Sequence, residues 1–354
     1  MKAMILAAGG ASRLYPLTYT LPMVMVPVVN LPVAEHLICL LKAHGFDEIV
    51  VNLHYLHRVI TDHLGDGSRW GAKLSYSHEE ELSGTAGGVK RVADFFDDTF
   101  LVIGGDDLTD LDLSAFLAYH RGRKSQATLA AYPISQSDDL GVLALDHDGR
   151  VTEFHEKPRQ VPEHCHWVNS GIYLFEPSIF EFIPDVRPFD FGKHLFPGLA
   201  SNAEVAFYGY PIEAGYWCDI EDPIAYRQAH WDVLEGLTDI TIPGREVQPQ
   251  VWLAEGCQVS SQATLVPPVV IGEGTEIRAG ARIEGPAVLG PKVVVEEGAR
   301  VRSSVIWDHT RLGAGCLVED SLVGSSCLLE ANRQYRNILM PSGAQPSRRK
   351  VSQD

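Results

Sequence analysis

The chain has 354 residues, a formal net charge of −17 at pH 7 and a hydrophobic fraction of 45%, which predicts a globular protein with two domains. Its negative charge disfavours nucleic acid as a partner. No apolar run reaches the length needed to cross a bilayer, and the N-terminal residues lack the h-region of a signal peptide, so we expect neither membrane insertion nor secretion.

Short apolar runs alternate with amphipathic segments up to about residue 235. The patterns predict strands at residues 4–8, 48–53, 73–76, 100–103 and 127–132, and helices at 33–43, 86–96 and 113–119. This order predicts a Rossmann-like α/β domain with a mostly parallel sheet and helices on both faces.

A strict six-residue period begins in the C-terminal third. Aliphatic residues recur at Leu253, Val259, Leu265, Ile271, Ile277, Ile283, Leu289, Val295 and Val301, and after a one-residue slip at Ile306, Leu312 and Val318. A small or compact residue follows each of the first eight by four positions, as Cys257 and Ala263 do. The period predicts a triangular β-helix, because an ordinary β-sandwich would not hold this phase over so many residues.

These changes in pattern predict three segments: residues 1–238, the α/β domain; 239–339, the β-helix; and 340–354, a mobile polar tail. The six cysteines are scattered without a CxxC pair, which suggests neither a zinc site nor a disulfide framework and fits a reducing, cytoplasmic compartment.

The first candidate for chemistry is the glycine loop after the first strand, Gly9 to Thr18. Its backbone N–H groups could converge on phosphate oxygens, and Arg13 could bind two of those oxygens. A tight turn carrying a surface arginine is an equally good interpretation of the loop alone.

The second candidate is Asp106, which follows an apolar strand at the sheet edge where ligands bind in open α/β folds. For Asp107, Asp110 and Asp112 we expect helix capping.

The same segments resemble the nucleoside-diphosphate-sugar pyrophosphorylases. Gly9 to Thr18 is similar to the family's GxGTRLxPLT stretch, and five later segments are similar to its LGTAG, NGD, FxEKP, NAGIY and GYWxDI motifs: Ser83 to Gly88, Gly104 to Asp106, Phe154 to Pro158, Asn169 to Tyr173 and Gly215 to Ile220. The hexapeptides add a further likeness, and they imply a left-handed coil. Within the family the chain most resembles the mannose-1-phosphate guanylyltransferases.

The resemblance implies that a sugar 1-phosphate attacks the α-phosphorus of a nucleoside triphosphate, with GTP and mannose 1-phosphate as the expected pair. It implies four catalytic residues: Arg13, Asp106, Lys157 and Asp219. It implies nucleotide binding by Ala8, Gly9, Gly10, Ser12, Arg13, Gly84 and Thr85, and sugar binding by Gly105, Glu156, Lys157, Asn169 and Gly171. Asp106 and Asp219 are the implied Mg²⁺ ligands. The apolar end faces and flat sides of a β-helix commonly pack on another subunit, which predicts a homo-oligomer.

Several departures from the family pattern surround the reacting phosphates. The lysine of the family's P-K pair is Met23, the second glycine of GxGTR is Ala11, its threonine is Ser12, and a later glycine is Glu221. Three functional classes therefore stay open: an active transferase, a catalytically weak regulatory homologue that binds the nucleotide sugar, and a structural assembly protein. Retention of the four implied catalytic residues argues against the third.

Overall fold

A computed structural model describes residues 1–10, 12–134 and 140–345. Ala11 and most of the predicted tail, residues 346–354, lie outside these ranges. The chain divides into an N-terminal unit, Met1–Gly10, Pro22–Met25 and Val33–Asp219, and a C-terminal unit, Ala11–Leu21, Val26–Pro32 and Ile220–Asp354. None of the helices in the described ranges is both long and apolar enough to span a bilayer.

The α-helices are α1 (Val33–Ala43), α2 (His57–Leu64), α3 (Thr85–Lys90), α4 (Leu113–Gly122), α5 (Phe196–Ala200) and α6 (Pro223–Leu234). The strands before the β-helix are β1 (Lys2–Leu6), β2 (Pro27–Val28), β3 (Leu31–Pro32), β4 (Glu48–Leu53), β5 (Lys73–His78), β6 (Phe100–Gly104), β7 (Asp107–Thr109), β8 (Ala127–Pro133), β9 (Val142–Leu145), β10 (Val151–His155), β11 (Trp167–Phe175), β12 (Phe207–Pro211) and β13 (Trp217–Asp219).

The main sheet of the N-terminal unit confirms the predicted α/β class. Its strands run β10-β9-β11-β6-β1-β4-β5, and the neighbouring strands from β6 to β5 pair in parallel. Strand β11 adds antiparallel pairing to β6, β8 and β9. Fully buried residues of β1 and β6, such as Met4 and Val102, pack in the core beneath the sheet. The parallel part therefore brings the carboxyl ends of β1, β4 and β6 to one edge.

The helix predicted at residues 86–96 is shorter than expected. Helix α3 ends at Lys90, and a separate 3₁₀ turn covers Ala93–Phe95. The backbone at Val92 leaves helical geometry, with φ −115° and ψ 25°. Gly87 and Gly88 lie inside α3, and glycine weakens a helix by about 1 kcal/mol per residue relative to alanine. The apolar periodicity therefore continues past the end of the regular helix.

The C-terminal unit contains the predicted parallel β-helix. Strand β14 (Arg245–Gln248) comes first and pairs antiparallel with the next strand. The strands of the coil are β15 (Val251–Leu253), β16 (Gln258–Val259), β17 (Thr264–Val266), β18 (Val269–Ile271), β19 (Glu276–Ile277), β20 (Arg282–Glu284), β21 (Ala287–Leu289), β22 (Val294–Val295), β23 (Arg300–Arg302), β24 (Val305–Ile306), β25 (Arg311–Leu312), β26 (Leu317–Glu319), β27 (Leu322–Val323), β28 (Leu328–Leu329), β29 (Gln334–Arg336) and β30 (Leu339–Met340). Three sheets form its sides, and every third strand from β15 onward pairs in parallel.

The predicted aliphatic residues stack inside this coil in register. Ile271 pairs with Leu289 and Leu289 pairs with Ile306, and all three side chains are fully buried. The shorter second step is the one-residue slip seen in the sequence. The pairing continues through Val323 to Met340, beyond the last residue of the sequence pattern. The handedness of the coil stays a prediction from the resemblance.

Helix α6 belongs to the C-terminal unit, although the sequence places the domain boundary at residue 238. The hydroxyl of Tyr226 donates to the Pro27 carbonyl oxygen (2.6 Å) and accepts from Nε1 of Trp307 (2.9 Å). Tyr226 is fully buried, and burial raises the pKa of its hydroxyl. A satisfied, buried tyrosine thus connects α6 to a β-helix residue and to β2.

Candidate active site

A cavity of about 320 Å³ opens in the N-terminal unit at the carboxyl ends of β1, β4 and β6. It is lined by Leu6, Ala8, Gly9, Asn52, Glu79, Leu82, Gly84, Thr85, Gly104, Asp106 and Asp190. Four predicted nucleotide-binding residues are among them: Ala8, Gly9, Gly84 and Thr85. Asp106, the implied metal ligand, lines the same cavity. The cavity is large enough for a nucleotide-sized ligand, which is typical of such sheet edges.

A buried polar network forms the floor of this cavity. The backbone N–H of Ala7 donates to Oδ1 of Asn52 (2.7 Å), and Nδ2 of Asn52 donates to Oε1 of Glu79 (2.8 Å). The other oxygen of Glu79 accepts from the N–H of Ser83 (2.8 Å). Asn52 and Glu79 are almost fully buried. The network therefore joins the glycine loop to the segment that begins at Ser83.

The sequence interpretation missed Asn52 and Glu79. Asn52 is a polar residue near the end of the buried strand β4, and that position is a recognisable signal for a ligand edge in an open α/β sheet. Glu79 lies one residue after β5 in an acidic stretch, where its burial has no sequence signature.

The segment at the start of α3 is held by hydrogen bonds and close contacts with residues 189–191. Gly84 has φ +78°, and a Cβ there would lie 2.6 Å from the Phe189 carbonyl oxygen. The N–H of Thr85 donates to Oδ1 of Asp190 (3.1 Å), while Oγ1 of Thr85 accepts from the N–H of Phe191 (2.9 Å). Only glycine fits at position 84, since both the backbone angle and the close approach exclude a side chain.

Two strands bring the implied metal ligands together. Asp106 directly precedes β7, and Asp219 is the last residue of β13, which pairs antiparallel with β7. One carboxylate oxygen from each residue lies within 4.8 Å of the other. Both residues are partly exposed. Two convergent carboxylates with solvent access fit a Mg²⁺ ion, which prefers oxygen ligands and keeps several waters.

Of the neighbouring aspartates, only Asp112 caps a helix. Its Oδ1 accepts from the N–H groups of Ser114 (2.9 Å) and Ala115 (3.0 Å) at the start of α4. Capping was wrong for Asp110, whose Oδ1 accepts from the N–H of Tyr216 (2.6 Å).

Capping was also wrong for Asp107. This residue is buried in β7, where Oδ1 accepts from Nε1 of Trp217 (2.9 Å). A Cβ at Gly104 or at Gly171 would collide with the Asp107 carboxylate. The position of the Asp107 carboxylate therefore explains why two of the sequence motifs have glycine at positions 104 and 171.

The predicted sugar-binding residues Asn169 and Glu156 lie around a buried tyrosine. Nδ2 of Asn169 donates to the Tyr173 hydroxyl (3.0 Å). Burial raises the pKa of Tyr173, and the negative charges of Asp107, Glu156 and Asp106 raise it further. The charges of Asp106, the implied metal ligand, and of Glu156, a candidate sugar contact, thus both act on the Tyr173 hydroxyl.

The other sugar-binding candidates differ in how they are placed. Gly171 donates its N–H to Oδ1 of Asn169 (3.3 Å) and has φ +78°. Gly105 is buried and donates its N–H to the Leu6 carbonyl oxygen (2.9 Å), so that amide is not available to a sugar. Lys157 is exposed and has φ +44°. Pro158 follows it, and a residue before proline normally favours extended backbone, so the conformation of Lys157 is strained.

Arg13 pairs with Glu221 within the C-terminal unit. Ser12 and Arg13 lie on a 3₁₀ turn, Ser12–Leu14. Gly10 is exposed in the N-terminal unit, and Met23 is buried there on the 3₁₀ turn Met23–Met25. Glu221 replaces a glycine of the family motif, so the departure at this position supplies a carboxylate to the predicted phosphate-binding arginine.

Comparison with known proteins identifies the family. A family model described as nucleotidyl transferase matches residues 2–236. The chain belongs to the nucleotidyl transferase family. A second model, described as the GMPPB C-terminal domain, matches residues 265–340 of the enzyme, which are β-helix residues.

Individual relatives cover different shares of the enzyme. It is 38% identical to a UTP–glucose-1-phosphate uridylyltransferase from Synechocystis over 93% of its own length and 88% of the relative. It is 32% identical to a mannose-1-phosphate guanylyltransferase from Mycobacterium tuberculosis, over 66% of its length and 65% of the relative. Among solved structures, HddC from Yersinia pseudotuberculosis complexed with GMP-PN shares 26% identity and a TM-score of 0.56, over 66% of the enzyme and 99% of HddC.

Proposed function

We propose that this enzyme, a sugar-1-phosphate nucleotidyltransferase, makes GDP-mannose and pyrophosphate from GTP and mannose 1-phosphate. The observation that carries the transfer chemistry is the cavity at the edge of β1, β4 and β6, where nucleotide-binding candidates and Asp106 lie together. The choice of substrate pair is supported by the guanylyltransferase relative and by the C-terminal family model.

In the proposed reaction, a phosphate oxygen of mannose 1-phosphate attacks the α-phosphorus of GTP in line with the bond to the leaving pyrophosphate. A new P–O bond forms as the α–β phosphoanhydride bond breaks, and the electron pair leaves with pyrophosphate. No side-chain nucleophile is needed, so alignment and charge stabilisation supply the catalysis.

The proposed roles of the side chains follow from their chemistry. Asp106 and Asp219 hold Mg²⁺, which when bound neutralises charge on the phosphate oxygens. Glu156 and Asn169 accept and donate hydrogen bonds to sugar hydroxyls. Lys157 is assigned to the sugar phosphate, because it is an exposed cation at a strained position next to Glu156. Arg13 is assigned to the triphosphate through the glycine-loop motif.

A second substrate pair, UTP and glucose 1-phosphate, has its own support. The uridylyltransferase relative matches almost the whole enzyme, including the β-helix, at 38% identity. A regulatory role that binds the nucleotide sugar without fast turnover is the alternative to both pairs, and it is motivated by Met23 and by the pairing of Arg13 with Glu221.

Pyrophosphate release from a panel of four NTPs with mannose 1-phosphate or glucose 1-phosphate tests the proposal. We expect the highest kcat/KM for GTP with mannose 1-phosphate. A higher value for UTP with glucose 1-phosphate would overturn the preferred pair and leave the transfer reaction intact. Calorimetric binding of GDP-mannose with no turnover of any pair would instead establish the regulatory alternative.

We also propose a cytoplasmic location, where nucleoside triphosphates are available. All six cysteines lie in the described ranges and none of them is in a disulfide, which supports a reducing compartment. Labelling of the six thiols in protein taken directly from cells, before and after reduction, checks this location, and a disulfide found only in the unreduced sample would contradict it.

A further inference from the structure

A second group of metal-binding side chains lies at the end of β10, apart from the Asp106 and Asp219 pair. Glu153 and His155 are two positions apart on this strand, so their side chains share one face. The chain then returns toward β11 and brings His164 and Cys165 to the same place. Nε2 of His155 lies 3.0 Å and Nε2 of His164 lies 2.9 Å from the same oxygen of Glu153.

The thiol of Cys165 completes the group. One ligand atom from each of Glu153, His155 and Cys165 lies within 4.8 Å of the other two. In a tetrahedral zinc site, bond lengths of about 2.0–2.3 Å separate the ligand atoms by roughly 3.3–3.8 Å. The nitrogen of His155 and the oxygen of Glu153 would therefore have to separate slightly around an ion, which rotation of these two partly exposed side chains allows.

We propose that Glu153, His155, His164 and Cys165 form a zinc site. Imidazole nitrogen and thiolate sulfur are the ligands that select zinc over magnesium. His164 supplies the fourth ligand by turning about its side-chain bonds, since it is exposed and already contacts Glu153. The site differs in chemistry from the all-carboxylate pair at Asp106 and Asp219, which suits Mg²⁺.

The surroundings shift the pKa values of two of the proposed ligands in opposite directions. Hydrogen bonds from His164 and His155 lower the pKa of the exposed Glu153 carboxyl group. Burial, with a contribution from the Glu153 charge, raises the pKa of the Cys165 thiol. When zinc binds, the thiol proton leaves to solvent and a Zn–S bond forms. The positive charge of the zinc ion stabilises the resulting thiolate.

An ion at this place would fasten the segment 156–163 at both ends. Glu153 and His155 precede the segment on β10, and His164 and Cys165 follow it just before β11. The segment begins with Glu156 and Lys157, the residues assigned above to sugar and sugar phosphate. The zinc site would thus hold one side of the proposed sugar-binding region, although its existence does not depend on that assignment.

The test is metal binding by the full chain, freed of metal and then titrated with Zn²⁺ or Co²⁺ in excess Mg²⁺. We expect one zinc ion per chain, and for Co²⁺ the absorption band of sulfur-to-cobalt charge transfer. His155→Ala and His164→Ala should each weaken binding at least tenfold. Cys165→Ser should abolish the cobalt–sulfur band.

Matched controls separate this site from ordinary surface binding. Cys39→Ser removes an exposed free cysteine, and His147→Ala removes an exposed histidine, and both should bind zinc as the parent does. If burial of Cys165 makes its variant unstable, the two exposed histidines still provide the test. Three results would each overturn the proposal. The first is equal zinc affinity in the parent and in His155→Ala, and the second is no zinc uptake in excess Mg²⁺. The third is a charge-transfer band that persists in Cys165→Ser.

Discussion

Glu221 forms an ion pair with Arg13, and it stands where the family motif has a glycine. If Arg13 binds the triphosphate as we propose, the Glu221 carboxylate and the triphosphate compete for one guanidinium group. Both side chains are about a third or more exposed, and an exposed ion pair of this kind stabilises by about 0–1 kcal/mol. Such an energy is small enough for a bound nucleotide to displace Glu221.

Replacing Glu221 by glycine or glutamine should release Arg13 for the triphosphate. We expect the KM for the nucleoside triphosphate to fall about two- to fivefold, which corresponds to up to about 1 kcal/mol. Arg13→Ala should raise KM, and in the double variant Arg13→Ala with Glu221→Gln the gain should disappear. Glu330→Gln, which breaks another ion pair of the C-terminal unit, should leave the kinetics unchanged. A gain that survives removal of Arg13 would contradict the competition.

The carboxylate pair predicts a metal requirement. Asp106→Asn and Asp219→Asn should each abolish Mg²⁺-dependent turnover with little effect on thermal stability, because both residues are partly exposed. Asp112→Asn is the matched control, since asparagine caps a helix about as well as aspartate does. Turnover assays with Mg²⁺ titration and thermal unfolding measure both effects. Parent-like activity in either of the first two variants would exclude the metal assignment.

The network of Asn52 and Glu79 predicts a combined effect on stability and binding. Asn52→Ala leaves the Ala7 N–H and a Glu79 oxygen without their partner, at about 1–3 kcal/mol for each unsatisfied buried group. We therefore expect Asn52→Ala to have a lower free energy of unfolding by this amount and a higher KM for the nucleotide. Asn202→Ala, which removes a surface-turn acceptor, should change neither. An unchanged nucleotide KM in Asn52→Ala, with lowered stability, would limit the network to a structural role.

The sequence predicts the elements whose signal is local or periodic. Strand β4 and helix α1 have the predicted bounds, and the six-residue period identifies the stacked residues of the β-helix, because each contact repeats at a fixed spacing. The pairing of Arg13 with Glu221 joins residues 208 positions apart, and Asn52 contacts Glu79 across 27 positions. Such contacts depend on the folded sheet, so neither composition nor periodicity contains them. The proposed zinc ligands likewise have no sequence signature, since only the fold brings Cys165 to Glu153.

The β-helix predicts self-association. Val259 and Leu265 of the first coil are partly exposed, whereas Ile277 and Ile283, their partners in the second coil, are buried. An apolar coil end is a surface that a second copy could cover. Light scattering over a dilution series should give the mass of a homo-oligomer at micromolar concentration. A monomer at every concentration would contradict this prediction.

Met23 occupies the position of the family lysine, a cation at the reacting phosphates. Met23 is buried, with 8% of its surface exposed. Its unbranched side chain has nearly the volume of a lysine stem. Met23→Lys should therefore fit with little strain and restore a charge where the transition state is negative. We expect kcat to rise about tenfold, which is about 1.4 kcal/mol off the barrier.

Met23→Leu is the control for this substitution, because it changes shape without adding charge and should not raise kcat. Steady-state kinetics and thermal unfolding of both variants give the comparison. A Met23→Lys variant that folds as the parent does and stays equally slow would show that Met23 does not limit the reaction. If both the parent and this variant bind the nucleotide sugar without turnover, restoring the cation is not enough for catalysis, and the regulatory role replaces the catalytic one.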